Sequence, residues 1–201
     1  MTLPNGYSDV APGQLAAVVT YLEMISQVPQ RPERTTPPWR LEHIQTPDPA
    51  WYRELFARIG TEWLWFSRLT MPIKDLQEIL SDPLVEVYAV TINGYAEGLL
   101  ELDFRTANQC ELAFFGLTPA LLGQGAGRWL MNRALELAWA RPINRLWVHT
   151  CTHDHPEALA FYRRSGFVAY AFSVEVSQDP RLTGLAPRAA AAHVPLIEKK
   201  I

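Results

Sequence analysis

Three alternating glycines between a predicted strand and a predicted helix constrain the fold of this chain more than any other feature. Cys110 to Leu117 has the short apolar pattern of a strand, Gly123, Gly125 and Gly127 follow it, and Arg128 to Ala140 carries an apolar stripe at helical spacing. Glycines allow a sharp turn and a close approach of the backbone to a ligand. The unpaired amides at the start of a helix attract an anion. The segment therefore predicts a phosphate or pyrophosphate site.

The spacing of these glycines differs from that of two common phosphate-binding turns. A P-loop requires a Lys and a Ser or Thr after its last glycine, and neither follows Gly127. A dinucleotide-binding turn reads G-x-G-x-x-G, whereas residues 123–127 read G-x-G-x-G and follow predicted hairpin strands. A tight strand-to-helix turn without a ligand stays an alternative when the segment is taken alone.

The hydrophobic pattern of residues 39–201 predicts one mixed α/β domain. Asn93 and Gly94 tolerate positive φ and predict a type I′ hairpin, and Asp48 before Pro49 predicts a helix start. The other predicted strands and helices are Trp39–Ile44, Val85–Thr91, Tyr95–Phe104, Arg145–Thr150, Phe167–Val176 and His193–Ile197 as strands, with Pro49–Ile59, Pro72–Leu80 and Pro156–Ser165 as helices.

Residues 1–38 are predicted to form an N-terminal extension before this domain. Gln14 to Gln27 has apolar residues at helical spacing, which predicts a short amphipathic helix. Val28 to Pro38 contains four prolines and predicts an extended linker.

Composition excludes several classes of protein. The 201 residues are 48% hydrophobic and 19% charged, which is typical of a globular chain and not of a disordered one. A net charge of −3 argues against a nucleic-acid partner, and no apolar run is long enough to span a bilayer. The start of the sequence lacks the pattern of a secretory signal, and Cys110 and Cys151 are the two cysteines. We therefore expect a cytoplasmic protein without a membrane partner.

Two separated blocks resemble the GNAT superfamily of acetyl-CoA-dependent N-acetyltransferases. Residues 122–127 are similar to the acetyl-CoA signature Gln/Arg-x-x-Gly-x-Gly/Ala, with Leu122 in place of Gln or Arg. Residues 115–119 look like the strand before that signature, and residues 154–167 are similar to the helix Asn-x-x-Ala-x-x-Phe-Tyr-x-x-x-Gly-Phe, with His155 in place of Asn. The resemblance covers roughly residues 39–197.

The resemblance implies a fold and an activity. The fold is a mixed, partly antiparallel central sheet with flanking helices, in which strands 110–117 and 145–150 run parallel and splay apart. The activity is transfer of the acetyl group of acetyl-CoA to a primary amine of a small molecule or peptide, in a ternary complex and without a metal. Dimerisation is common in the family, so a homodimer is one assembly to consider.

The resemblance also implies a set of cofactor-binding residues. A backbone amide near Phe115 to Leu117 would polarise the thioester carbonyl, and Gly116 beside Phe115 suits a β-bulge. The full set is Phe115, Gly116, Leu117, Leu122, Gly123, Gln124, Gly125, Ala126, Gly127, Arg128, His155 and Tyr162.

Glu111 and Tyr162 are the predicted catalytic residues. Glu111 would take the proton of the acceptor ammonium, and strand alternation predicts that it shares a face with Ala113, Phe115 and Leu117. Several family members carry a glutamate at this strand position in that role. Tyr162 matches the tyrosine that can protonate the leaving thiolate.

Each catalytic prediction has an alternative. Glu101, Asp103 or a chain of waters could be the base, which would leave Glu111 as an exposed strand residue. Tyr162 could be a core aromatic. A non-catalytic acyl-CoA sensor would keep the cofactor site and lose both roles.

Two further patterns keep more than one interpretation. His149, Cys151, His153 and His155 alternate like zinc ligands, but four successive ligands on one strand do not easily surround a metal, so ordinary strand residues are favoured over a metal-binding protein. Trp63, Trp65 and Phe66 either line an acceptor pocket or belong to the core. Glu62 and Arg68 beside them could recognise a charge on the substrate.

Overall fold

The computed structural model describes residues 3–33 and 37–198. The elements in chain order are β1 Gln14–Met24, β2 Arg40–His43, α1 Pro49–Gly60, α2 Ser67–Thr70, α3 Ile73–Ser81, β3 Val85–Ile92, β4 Tyr95–Asp103, β5 Gln109–Leu117, α4 Ala126–Trp139, β6 Arg145–Cys151, α5 Ala158–Arg164 and β7 Val168–Gln178. Short 3₁₀ turns cover Thr61–Trp63 and Pro119–Leu121. None of the helices in the described ranges has the length and apolar character that a bilayer span requires.

The strands form a seven-stranded sheet in the order β2-β3-β4-β5-β6-β1-β7. All neighbours are antiparallel except β5 and β6, which run parallel. That parallel pair holds for three residue pairs and ends at Glu111 opposite Trp147. The predicted mixed α/β fold is confirmed, and so is the divergence of these two strands.

Helices cover both faces of the sheet and create two apolar cores. On one face α4 packs on β4 to β6, with Leu130 and Leu146 almost completely buried. On the other face α1 and α3 pack on β3 and β4, where Phe56, Leu76 and Leu99 are completely buried. Full burial of one such side chain contributes about 1.5–3 kcal/mol. β4 and β5 therefore lie between two helical layers.

Local signals in the sequence are confirmed where they act within a few residues. The Asp48 carboxylate accepts hydrogen bonds from the Ala50 and Trp51 amides at 2.9 and 3.0 Å and so caps α1. Asn93 and Gly94 have φ values of 52° and 81°, as a type I′ turn requires. The helix predicted from Pro72 is α3.

The helix predicted for Gln14 to Gln27 is wrong, because this segment contains strand β1. β1 lies between β6 and β7 and pairs with both. Its Leu15, Ala17 and Val19 are buried in alternation, which is the period of a strand. Pairing with two distant strands overrides the helical spacing. The first 38 residues therefore contribute a strand to the sheet.

The described part of the proline-rich segment contains neither helix nor strand, and it lies along α4. Asn132 of α4, almost completely buried, donates to the Arg31 carbonyl at 2.9 Å. Arg128 donates to the Pro32 carbonyl at 3.0 Å, and Gln30 donates to the Glu136 carboxylate at 2.8 Å. Residues 34–36 lie outside the described ranges.

The strand predicted for His193 to Ile197 is wrong. Residues 179–198 form an irregular segment, which we call the C-terminal strap, held by the buried guanidinium of Arg181. Arg181 pairs with Asp179 at 2.7 Å and donates to the Val194 carbonyl at 2.8 Å. It also donates to the carbonyls of Ala190, Ala191 and Pro195. These carbonyls face a side chain and so do not form a strand ladder.

We expect Arg181→Ala to lower the free energy of unfolding by about 3–5 kcal/mol, because it leaves the Asp179 carboxylate buried without its partner. The matched control is Arg188→Ala, which removes an exposed pair with Glu198 in the same strap and should cost less than about 1 kcal/mol. Chemical denaturation followed by fluorescence measures both. Similar losses in the two variants would contradict a special role of Arg181.

Candidate active site

A cleft of about 990 Å³ opens where β5 and β6 diverge. Its walls come from the loop after α1, the far half of β5, the glycine-rich turn, β6 and the turn after it, and α5. Segments of β1 and β7 and residues of the proline-rich segment complete the lining. The cleft therefore runs through the sheet at its one parallel junction.

The glycine-rich turn gives one end of the cleft an open backbone surface. Gly123 and Gly125 have φ values of 75° and 88°, and a Cβ atom built on either meets nothing within 4 Å. α4 begins at Ala126, and no side chain caps its first turn. Backbone amides with a positive helix end thus face free space. Such a backbone surface can bind an anion, and the Arg31, Arg128 and Arg164 side chains also line the cleft.

The structure brings almost all predicted cofactor-binding residues to this cleft. Ala126 is the exception, since it is completely buried beneath the turn. Leu122, at the position where the signature has Gln or Arg, is half exposed at the rim. The predicted residues that line the cleft are Phe115, Gly116, Leu117, Leu122, Gly123, Gln124, Gly125, Gly127, Arg128, His155 and Tyr162.

The predicted bulge lies at Ala113 and not at Gly116. Glu101 of β4 pairs with Phe114 and Leu102 pairs with Leu112, so Ala113 is the extra residue. Gly116 instead allows close packing, because a Cβ atom there would collide with Ile59 and Trp65.

The bulge also overturns the predicted shared face of β5. Leu112 packs in the α4 core, and Phe115 and Leu117 pack against that same core, three and five residues later. Phe114 packs in the α1 core on the opposite face. Simple alternation from Glu111 to Phe115 therefore fails, because the extra residue reverses which side chains face each core.

Glu111 lies on the sheet face opposite the α4 core and contacts a histidine. Its Oε1 is 3.5 Å from Nδ1 of His149, which is two residues past the last β5–β6 pair. The contact with the carboxylate raises the pKa of His149 above its ordinary value, against the effect of burial. His149 lines the cleft, and Glu111 lies behind it.

The alternative bases on β4 are bound in structural contacts. Glu101 is completely buried and accepts hydrogen bonds from Tyr52 of α1 and Arg68 of α2. Burial raises the pKa of Glu101, although both partners oppose this. Asp103 pairs with Arg105, which lowers the pKa of Asp103. The prediction that Arg68 recognises a charge on the substrate is not supported, because its guanidinium is paired with the Glu101 carboxylate inside the protein.

Tyr162 lines the cleft, and its side chain is buried. Its ring packs edge-on against Phe115, Phe161 and Phe167 at centroid distances of 6.3, 5.7 and 5.9 Å. Burial raises the pKa of Tyr162, with a smaller contribution from the Asp154 charge. The hydroxyl therefore keeps its proton through neutral pH and can serve as a donor.

Two tryptophans and one aspartate, Trp63, Trp65 and Asp154, form one wall of the cleft. The Trp65 indole N–H donates to Asp154 at 3.0 Å, which connects the loop after α1 with the turn after β6. Asp154 also accepts from the Thr150 hydroxyl and the Cys151 amide, both at 2.8 Å. Trp65 packs on Phe114 as well, so it belongs to the core and to the cleft lining together.

The C-terminal strap reaches this wall. The Trp63 ring contacts His155 and His193 at centroid distances of 5.0 and 5.9 Å. The Glu62 carboxylate accepts from the Ala191 amide at 3.4 Å. Glu62 and Trp63 therefore hold the strap against the loop after α1.

The alternating His and Cys residues do not come together as ligands. Within the described ranges, no group of three His, Cys, Asp or Glu side chains is arranged to hold a metal ion. His155 accepts the Glu157 amide at its Nδ1, 3.1 Å away. Burial raises the pKa of Cys151 to about 11 and that of Cys110 further, so both thiols stay protonated at neutral pH.

Sequence reasoning missed three contributors to the site: His149 as the partner of Glu111, Asp154 as the partner of Trp65, and the C-terminal strap. Each depends on a contact between segments far apart in the chain. The only available signal was the position of His149 two residues after Trp147 on a predicted strand. Strand register was required to interpret it.

Comparison with known proteins identifies the family. Residues 40–167, well over half of the chain, match the model of the acetyltransferase (GNAT) family. None of the curated protein sequences matches the chain significantly.

Solved structures share the fold at low sequence identity. A GCN5-related N-acetyltransferase from Sphaerobacter thermophilus is 14% identical with a TM-score of 0.61, over 84% of this chain and 53% of that one. A putative GNAT acetyltransferase from Novosphingobium aromaticivorans is 16% identical with a TM-score of 0.58, over 84% and 70%. An aminoglycoside acetyltransferase from an uncultured soil sample, solved with sisomicin, is 15% identical with a TM-score of 0.51, over 64% and 87%.

These likenesses concern the fold, and this chain spans about half the length of the Sphaerobacter protein. The family model, the splayed parallel strands and the open glycine-rich turn agree with one another. The chain therefore belongs to the acetyltransferase (GNAT) family, whose chemistry is acyl transfer.

Proposed function

We propose that this protein transfers the acetyl group of acetyl-CoA to a primary amine of a small molecule or peptide, by direct transfer in a ternary complex. One observation carries the proposal. A single cleft joins the open amides at the start of α4 to Tyr162 and to His149, whose ring contacts the Glu111 carboxylate. Acyl transfer from CoA to an amine needs a site for the CoA phosphates, a group that accepts the proton of the amine and a group that donates a proton to the leaving thiolate.

Backbone groups supply cofactor binding. The amides of the glycine-rich turn and the first turn of α4 would hold the pyrophosphate. β5 loses its β6 partner after Glu111, so the edge from Leu112 to Leu117 can bind an extended pantetheine arm as an added strand. When bound, acetyl-CoA supplies the acyl group as a thioester whose carbonyl is open to attack. An amide near Phe115 would stabilise the developing negative charge on the carbonyl oxygen.

Side chains move the protons. The Glu111 carboxylate, directly or through an intervening group, draws the proton from the acceptor ammonium. Tyr162 holds its proton at neutral pH and would deliver it to the sulfur of the leaving thiolate. No covalent step on the protein is needed, since both cysteines are protonated.

The walls of the cleft suit an amine. Trp63, Trp65 and Phe66 offer aromatic surface beside the acidic Asp154 and Glu175, and an ammonium is attracted to both. A structural neighbour that acetylates aminoglycosides supports a small-molecule amine. Two free thiols support the proposed cytoplasmic location, and the homodimer stays a prediction.

The test is a panel of primary amines, amino acids and peptides with acetyl-CoA, followed by release of free thiol and by mass of the product. Acetylation of one class of amine supports the proposal. Tight CoA binding by calorimetry without turnover on any acceptor contradicts it and favours the acyl-CoA sensor. Absence of CoA binding contradicts both functions.

The glycine-rich turn yields the first prediction for this function. Gly125→Ala should weaken CoA binding at least tenfold, because a Cβ atom would occupy the surface meant for pyrophosphate and disfavour the φ of 88°. Gly94→Ala is the matched control. It has a φ of 81° with open space around it, in a hairpin that does not line the cleft.

Both variants should lose about 1 kcal/mol of folding stability, because both place an L-residue in the left-handed region. Titration calorimetry with CoA and thermal unfolding measure the two effects separately. Equal CoA affinity of G125A and G94A would remove the glycine-rich turn as the pyrophosphate site.

Tyr162 yields the second prediction. Tyr162→Phe should lower kcat about a hundredfold and leave KM for acetyl-CoA nearly unchanged, because the ring packing is kept and the proton donor is lost. Tyr95→Phe on the exposed hairpin is the control and should match the parent enzyme. A kcat for Y162F within twofold of the parent value would assign Tyr162 to the core alone.

A further inference from the structure

We propose that His149 receives the proton of the acceptor amine at Nε2, and that Glu111 is a positioning residue that holds Nδ1. This inference deepens the proposed function and rests on it. It separates the group that meets the substrate from the carboxylate behind it.

His149 and Glu111 occupy different positions relative to the gap between β5 and β6. β5 and β6 stay paired as far as Glu111 and Trp147, so Glu111 sits where the sheet is still closed. His149 is two residues further along β6, on the same face as Trp147, where the gap has begun. His149 lines the cleft and its side chain is 46% exposed, whereas the Glu111 side chain is 24% exposed and does not line the cleft. An acceptor in the cleft therefore meets the imidazole first.

The contact between the pair fixes which ring nitrogen is available. Glu111 Oε1 lies 3.5 Å from His149 Nδ1. A carboxylate at this nitrogen favours the tautomer with the proton on Nδ1 and leaves the lone pair on Nε2. Such contacts commonly shorten when the substrate is bound. The same logic orients the histidine of a hydrolase triad toward its substrate.

The surroundings of His149 hold the ring and favour its charged form. Tyr21 of β1 and Trp147 pack against it at centroid distances of 5.9 and 6.3 Å. The charges of Glu111, of Asp154 after β6 and of Glu175 on β7 all act to raise the pKa of His149. A raised pKa makes the neutral imidazole a stronger base.

Other groups at the cleft are less suited to take the proton. Burial lowers the pKa of His153, which makes it a weaker base. The Nδ1 atom of His155 accepts a hydrogen bond from the Glu157 amide, and the ring packs on Trp63. Asp154 accepts three hydrogen bonds from Trp65, Thr150 and Cys151. Glu175 remains the competing carboxylate, and the test includes it.

The step balances as follows. One proton passes from the acceptor ammonium to Nε2, and the imidazolium later gives it to water. The amine nitrogen forms the C–N bond at the thioester carbonyl carbon while the C–S bond breaks. The second amine proton reaches the CoA sulfur by way of Tyr162, so the products are an amide, free CoA and one proton.

The experiment measures kcat/KM against pH for the parent enzyme and three variants. In the parent, activity should fall as the pH drops through the raised pKa of His149, since the neutral imidazole is the active form. H149Q should lower the plateau at least a hundredfold and abolish that acid limb. E111Q should keep the acid limb and shift it to lower pH, because the imidazolium loses its carboxylate. The double variant E111Q/H149Q should be no worse than H149Q, because the pair acts as a unit.

His43→Gln is the matched control, because His43 stacks on Tyr88 at 4.7 Å on a strand far from the gap, and its profile should match the parent. NMR titration of the His149 ring gives a readout independent of turnover, with a lower pKa expected in E111Q. If the parent enzyme is active and H149Q keeps its acid limb, the proposed role of His149 is wrong and the proposed function is unaffected. The same conclusion follows if Glu175→Gln removes the acid limb. No turnover by the parent on any amine of the panel overturns the proposed function and this role with it.

Discussion

The separation of β5 from β6 after three paired residues is the constraint on which the rest of the structure depends. Two strands that part inside a sheet leave backbone donors and acceptors without a ladder, and burying such groups unpaired costs about 1–3 kcal/mol each. The gap is therefore stable only if it stays wet or receives a polar ligand. The glycine-rich turn, the first turn of α4 and the edge of β5 all present backbone groups to this one gap. Backbone polarity that would be a defect in a continuous sheet becomes a binding surface here.

The walls of the gap need anchors that the sheet itself does not supply. On one side Glu101 accepts from Tyr52 and Arg68, which attaches α1 and α2 to the centre of β4. Burying this ion pair costs desolvation free energy, so its main effect is to position α1 and α2 and not to stabilise the fold. Across the gap, Trp65 donates to Asp154 and joins the loop after α1 to the turn after β6. The loop after α1 is thus connected to β4 through Glu101 and to the end of β6 through Asp154.

The sequence predicts those features that arise within a few residues. The cap at Asp48, the turn at Asn93 and the glycine-rich turn each contain the residues that cause them. The strand β1 was mistaken for a helix, because its apolar residues fit both periods and its partners β6 and β7 lie at the other end of the chain. The reversal of faces along β5 was missed because Ala113 carries no mark of a bulge. Likewise, the Glu111–His149 contact depends on the register of two strands, which no local pattern encodes.

The place of β1 in the sheet has a consequence for the order of assembly during synthesis. β1 leaves the ribosome first, yet Val19 pairs with Cys151 and Ser173, which are made near the end. Strands β2 to β5 are neighbours in sequence and can pair early, whereas β1 waits with both edges bare. Contacts of such long sequence separation slow folding and prolong exposure of apolar strands. Since β6 forms one wall of the gap, the cleft is not complete in a nascent chain until β6 has been synthesised.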